Sequence, residues 1–517
     1  MRNNGIFFLV TLVMSVTLLL SCRQVQAPAS YQQLRVEPNI YPDYTEVTVP
    51  VNMAPLTFEL LTPADAAVTR FSVDGHELLC EGLKTRPDID EWKVLTARAC
   101  GKSISVEVFA RNGEQWARFK PFNIYVSPDS IDPWMSYRLI SPSFVSYEEL
   151  TINQRSLESF TEQVIVDNML CTTESGGQCV NCHSYQQYNP DRMQFHARET
   201  HGGTIIVYDG QIEKVNMKHD SLLSAGVYPA WHPTEKLIAY STNKTMQSFH
   251  TSHANKIEVL DSESDLILYD IDRHEVTTIE QQPNELEIFP TWAPDGRSLY
   301  FCSAHFEYQA GKPDLEDITM RAQEVKYNIY RKSFDPKTKT FGEREMVFCA
   351  DTLGMSATLP RISPDGRWLL FTMGEWGCFH IWHHDADLWL APLVPHTAPE
   401  GDTIETPSGA IGGAYPLTEA NSDDTESYHS WSSNGRWIVF SSRRYDGMFT
   451  RPFFVHIDSE GRATKPFELP TADPDFHRQF LKSYNVPEFM RGPVTLKPQQ
   501  LASKLKEDGI GVKVKTK

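Results

Sequence analysis

Residues 428–442 read YHSWSSNGRWIVFSS, and three upstream stretches follow the same plan: YPAWHPTEKLIAYS from Tyr228, FPTWAPDGRSLYFCS from Phe289 and LPRISPDGRWLLFTM from Leu359. Each copy has an apolar residue followed, as a rule, by Pro, a Trp or Ile two positions further on, a turn, and a run of five or six largely apolar residues. That is the pattern of strand, tight turn, strand. The turn is explicit in Pro294-Asp295-Gly296, Pro364-Asp365-Gly366 and Ser433-Asn434-Gly435, where glycine supplies the positive φ that a hairpin needs. The first copy, Pro233-Thr234-Glu235-Lys236, has no such glycine.

The copies begin 61, 70 and 69 residues apart. A period of that size marks one supersecondary unit that buries its faces only by stacking on its neighbours. Further strand-like runs follow each copy: DLILYD at 265–270, NIYR at 328–331, DLWLAPL at 387–393 and PFFVHID at 452–458. Four short strands per repeat is the composition of a propeller blade. The repeat resembles that of the TolB-like, WD40-like (PD40) propellers, which carry the same apolar-Pro-x-Trp-Ser-Pro-Asp-Gly signature. The resemblance covers roughly residues 226–470 and implies a fold, not an activity.

The chain has 517 residues, enough for two or three domains, and a formal charge of −19 that argues against a phosphate-backbone partner. Residues 1–21 carry Arg2 and an apolar run from Ile6 to Leu20, an export signal. Leu19-Leu20-Ser21-Cys22 resembles the bacterial lipobox, which implies lipidation of Cys22 and a periplasm-facing protein held at a membrane of the cell envelope, the outer membrane being favoured. Residues 22–44 read as a tether. Residues 45–128 alternate as strands with hairpin signals at Asp74-Gly75 and Asn112-Gly113, which predicts an immunoglobulin-like β-sandwich, with Cys80 and Cys100 as a disulfide or as two buried thiols.

After a linker at 127–129, weaker strand signals at 132–167 and 181–215 add degenerate blades to the four clear ones. The expectation is an all-β chain: the sandwich, then a six- or seven-bladed propeller over 132–470 that carries a Cys-x-x-Cys-His insert at 171–202. A helix near 475–484 and a tail fill 471–517. No Gly-x-Ser-x-Gly elbow occurs and 47 residues follow Pro470, which excludes a prolyl-oligopeptidase-type hydrolase in this sequence.

Cys179-Val180-Asn181-Cys182-His183 is the attachment pattern of a c-type haem: two thiols for the vinyl groups and the adjacent imidazole as proximal ligand. Met193, His196 and His201 are candidates for the distal position, with His196 favoured. The competing readings are a disulfide and a zinc site of Cys171, Cys179, Cys182 and His183.

A second constellation, Asn243, His250, His305, Asp385, Asp387, His429, Arg443, Arg444 and Arg451, falls near the ends of the repeat hairpins. Of these, Asp385, Asp387, His429, Arg443 and Arg444 are the candidate funnel ligands. His380 and His384 share a strand face with Trp382 and resemble a metal cluster only superficially.

Two functional expectations follow. One is an envelope lipoprotein that uses a single c-type haem in electron transfer or docking to a redox partner. The other is a non-enzymatic binding or scaffold propeller that contacts envelope proteins or ligands. Replacing Cys22 by alanine should move the protein from the membrane fraction to the soluble fraction of export-competent cells, read by fractionation and immunoblotting.

Overall fold

A computed structural model describes residues 25–141, 149–172, 178–250, 252–253, 255–393 and 413–515. The export signal and Cys22 lie outside the described residues. Residues 134–490 form a six-bladed β-propeller, settling the six-or-seven expectation. Blades 2 to 6 take their four strands in chain order, with inner strands Val180–Tyr185, Val227–Trp231, Glu285–Trp292, Ser356–Ile362 and Glu426–Trp431.

Blade 1 is completed from both ends of the propeller. Its outer strands are Trp134–Ile140, Thr151–Ser156 and Glu162–Asp167, whereas its inner strand, Ser483–Met490, comes from beyond the last repeat. The propeller therefore does not end at 470. Of the helix expected near 475–484 only Phe476–Gln479 forms, and the chain then turns extended to close the ring.

The tail continues as a strap. Helix Pro498–Leu505 packs on the outer edges of blades 1 and 2, Ile510–Gly511 extends blade 2, and Lys513–Lys515 extends blade 3. Outer-edge backbone groups of both blades are thereby paired.

The N-terminal body is a two-sheet arrangement with one helix added. A seven-stranded sheet is covered by a three-stranded sheet and by helix Ile89–Arg98. The Asp88 carboxylate accepts from the amides of Asp90 and Glu91, and Asp88-x-x-Glu91 is a capping signature that the strand-rich surroundings obscure. Trp92 of this helix is fully buried edge-on against Phe71, their ring centroids 5.6 Å apart. Cys80 and Cys100 are free thiols, the first buried and the second exposed, so neither expectation for this pair holds.

Residues 127–132 do not act as a free linker. The Asp129 carbonyl accepts from Trp437 Nε1 at 3.0 Å, and the Asp132 carboxylate accepts from the Ser433 amide at 2.6 Å. One apolar core runs from the N-terminal sheet into the seam between blades 6 and 1.

The repeat turns also join neighbouring blades. Gly296 holds φ +66°, and a β-carbon there would lie 2.5 Å from the His232 ring. In the first copy, which lacks the turn glycine, His232 replaces it: Nδ1 accepts from the amides of Thr234 and Glu235, and Nε2 donates to the Gly296 carbonyl at 2.9 Å. Gly296→Ala should therefore cost about 2 kcal/mol, from strain and clash together. Gly311→Ala, at the same φ of +66° in open space, should cost about half as much. Thermal denaturation of the two variants checks the difference.

Candidate functional site: the central channel

All six inner strands break register at the same place. The residue at each break has positive φ: Cys182 (+56°), Tyr228 (+50°), Phe289 (+52°), Leu359 (+54°), Tyr428 (+47°) and Val486 (+52°). The break leaves two residues of the inner strand opposite one of its neighbour, a bulge that re-aims side chains. The following residue is Pro229, Pro290, Pro360 or Pro487 in four blades, where the missing N–H leaves no donor unpaired, and His183 or His429 in the other two. These six pairs ring the propeller axis and line one chamber. Its cavity volume is ≈ 90 Å³.

The next residue along each strand forms the floor. Arg361 of blade 5 and Glu488 of blade 1 form an ion pair there (Nη2–Oε1, 2.6 Å), and both line the chamber above and the one below. Trp292 and Trp431, one position further, donate from Nε1 to the carbonyls of Ala230 and Arg361 in the preceding blades, at 3.1 and 3.3 Å.

The Cys-x-x-Cys-His motif is therefore part of the propeller, in the inner strand of blade 2, with Cys182-His183 in the place that Tyr228-Pro229 takes in blade 3. The His183 imidazole is 1 % exposed, and neither ring nitrogen has a well-formed hydrogen bond. Its one polar approach is to the backbone at Val486. Burial, with Arg138 adding to it, pushes His183 down to about 3, so the ring is neutral at physiological pH.

This setting does not suit the disulfide expected as one use of the motif. An extended strand places Cys179 and Cys182 about 10 Å apart, Cα to Cα, beyond the ~7 Å that a disulfide spans. Both thiols are free and nearly buried. The distal candidates share the blade but not the channel. Met193 is sealed in the apolar layer between blades 1 and 2. His196 lies on the face of Gln194, which meets Tyr240 of blade 3, and its Nδ1 bonds to the Thr204 hydroxyl at 3.1 Å. His201 is on a short surface turn.

Cys171 is at the outer rim of blade 1, its Sγ 3.7 Å from the Ala502 carbonyl, so it does not join the other three proposed zinc ligands. Among the described residues no group of three or more His, Cys, Asp and Glu side chains is arranged to hold a metal ion.

Of the funnel candidates only His429 lines the chamber. Its Nε2 donates to the Leu359 carbonyl (2.8 Å) and its Nδ1 accepts from Thr372 (3.3 Å), so it is fully used in structure. Arg443 is buried flat over Trp382, 3.5 Å from the ring centroid, with Nε donating to the Ile381 carbonyl. Arg444 pairs with buried Glu426 between blades 5 and 6. Asp387 is nearby, pushed up to about 6 by burial and by the charges of Glu426 and Asp385. Residues 380–382 form a 3₁₀ turn, not a strand, and His380, His383 and His384 bond separately to Thr358, Glu258 and Asp424.

The sequence reading missed Arg361, Glu488 and Arg138. The signal for Glu488 was present, since Val486-Pro487-Glu488-Phe489 repeats the apolar-Pro-x-aromatic start of the four copies.

No protein family matches the sequence, and neither does any curated protein. Among solved structures the chain is similar to prolyl oligopeptidase B from Galerina marginata (8% identity, TM-score 0.31), covering 56% of this chain and 37% of that one. It is also similar to the β-propeller domain of the Trilobed protease from Pyrococcus furiosus (11% identity, TM-score 0.27; 85% and 96% covered). A third is an oligogalacturonate lyase in complex with manganese (12% identity, TM-score 0.27; 85% and 98% covered). The chain thus spans well under half the length of the prolyl oligopeptidase it matches. These likenesses carry no argument about activity. The strand pairing itself defines the class: a six-bladed β-propeller joined to a mixed N-terminal β domain.

His183, His196, His380 and His429 are each pushed from 6.5 to about 3, chiefly by burial. The folded chain therefore binds fewer protons than the unfolded chain between these values. Their contribution is complete above pH 6.5 and is lost as pH falls toward 3, at about 1.4 kcal/mol per pH unit for each histidine. His183→Asn should flatten the decline by one histidine's share, read as the urea midpoint between pH 7 and 4.

Proposed function

We propose that this chain is a non-catalytic binding propeller of the cell envelope, carried on a lipid at Cys22, which takes a small ligand in the chamber above the Arg361–Glu488 bridge. The observation that carries this reading is the His183 imidazole, buried at the axis with neither nitrogen in a well-formed hydrogen bond among the described residues and only an approach to the backbone at Val486. A buried polar group without a partner is destabilising, and its persistence at the mouth of a cavity is accounted for by a ligand that completes it. The walls fit a compact ligand: Tyr228 and Phe289 meet at 4.5 Å, and four prolines hold the strands rigid. The resemblance of the repeats to those of TolB-like propellers agrees with a binding role.

A second reading, a haem-bearing electron-transfer protein, is favoured by one observation: the two thiols and the imidazole of the motif are all unengaged. The two readings separate in one preparation. Protein exported from cells that have haem-attachment machinery should be colourless, without a Soret band and negative to haem staining on a denaturing gel. A covalently red protein would replace the first reading with the second.

A further inference from the structure

Arg138 lies on the second strand of blade 1, paired across the ladder with Asn485, the residue just before the Val486 bulge. It is 6 % exposed, and among the described residues its Nε has no hydrogen-bond partner and no carboxylate forms an ion pair with its guanidinium. A buried guanidinium without an anion is strongly unfavourable. Its alternation places it on the face turned to blade 2, opposite the face that Tyr137 and Leu139 present to blade 6. Its charge acts on Cys179, His183 and Tyr428, residues of two different blades at the axis.

Other unused polar groups gather along the same seam. Ser136 Oγ, on Arg138's side of the strand, and Tyr185 OH are buried, neither in a well-formed hydrogen bond among the described residues, and face each other across the seam. Asn181 Oδ1 and the His183 ring line the chamber, the first without a partner among the described residues and the second with only its approach to the backbone at Val486. The guanidinium N–H and the N–H of the neutral imidazole are donors, and the Asn181 amide presents its NH₂ in place of Oδ1 if it is turned over. The charged residues that line the chamber are Arg361 and Glu488, which cancel, so Arg138 behind the wall is the nearby charge left over. Asp261, the next carboxylate toward Tyr228, is already held by Asn243 and Thr245.

We infer that the seam between blades 1 and 2 is an anion seat, with Arg138 as counter-ion and His183 as hydrogen-bond donor, so that the channel ligand carries a carboxylate or phosphate group. The inference rests on the channel-binding reading above and names the ligand's chemistry. The anionic group enters from the chamber, meets Arg138 at the blade seam, and leaves the apolar part of the ligand against Tyr228 and Phe289. Arg361 is not free for this role because Glu488 already holds it.

The test is a titration of the purified protein with inorganic phosphate, acetate and, as a neutral probe, acetamide, followed by thermal denaturation and calorimetry, on wild type, Arg138→Met and Arg138→Lys. Phosphate or acetate should raise the wild-type midpoint in a saturable way, and whichever is stronger identifies the group. Arg138→Met should weaken that response about tenfold or more, and should raise the midpoint of the ligand-free protein by removing an uncompensated buried charge. Arg138→Lys should keep a reduced response. An anion response that survives in Arg138→Met places the anion elsewhere and overturns the inference. A His183-dependent response to acetamide alone overturns the anion seat and leaves the channel-binding reading standing. No response to any probe, with Arg138→Met less stable than wild type, overturns both.

Discussion

Six left-handed residues around one axis are the constraint on which this propeller turns. None of them is glycine, and one, Val486, is β-branched, so each is held against its own backbone preference. They persist because the bulge does two things that a regular strand does not. It aims a pair of side chains at the axis, and it starts the next three residues on a register from which a Trp can reach the preceding blade. The proline that follows in four blades removes a donor the bulge would leave unpaired. Local strain is thus offset by packing and by blade-to-blade hydrogen bonds, as expected where the surrounding structure over-determines a conformation.

Closure adds a second constraint. Inner strand Ser483–Met490 joins three strands that lie more than 300 residues earlier in the chain, so blade 1 cannot form before the whole repeat array is in place. The N-terminal body packs over that junction and shares its apolar core with blades 6 and 1. The C-terminal strap then pairs the outer edges of blades 2 and 3. Ring, cap and strap therefore depend on one another.

Secondary structure decides what the Cys-x-x-Cys-His motif can do. In a tight turn, residues three apart converge, and two thiols and an imidazole face one ligand. In the inner strand of blade 2 the same residues are spread along the chain. What the described residues show is a neutral imidazole at the axis, with a guanidinium nearby that has no ion-pair partner among them, and a chamber rich in aromatic and proline side chains. Arg138 and Ser136 interrupt, near the axis, the seam between blades 1 and 2, which is otherwise apolar.

The sequence alone determined the repeat, the turn chemistry and the all-β class, because hairpins are written in contiguous residues: Gly296, Gly366 and Gly435 at the turn, Trp at a fixed offset before it. It also placed Cys179, Cys182 and His183 within one blade. Tertiary structure decided the rest. The capping signature Asp88-x-x-Glu91 was overlooked among strands, and the strand at 483–490 carries only the first half of the repeat, so its partner had to be found at the other end of the propeller. Arg138, Arg361 and Glu488 come from blades 1 and 5, and which charges pair and which stay unpaired depends on how inner strands converge at the axis. That convergence is set by stacking between blades, a long-range packing property that no local spacing of residues encodes.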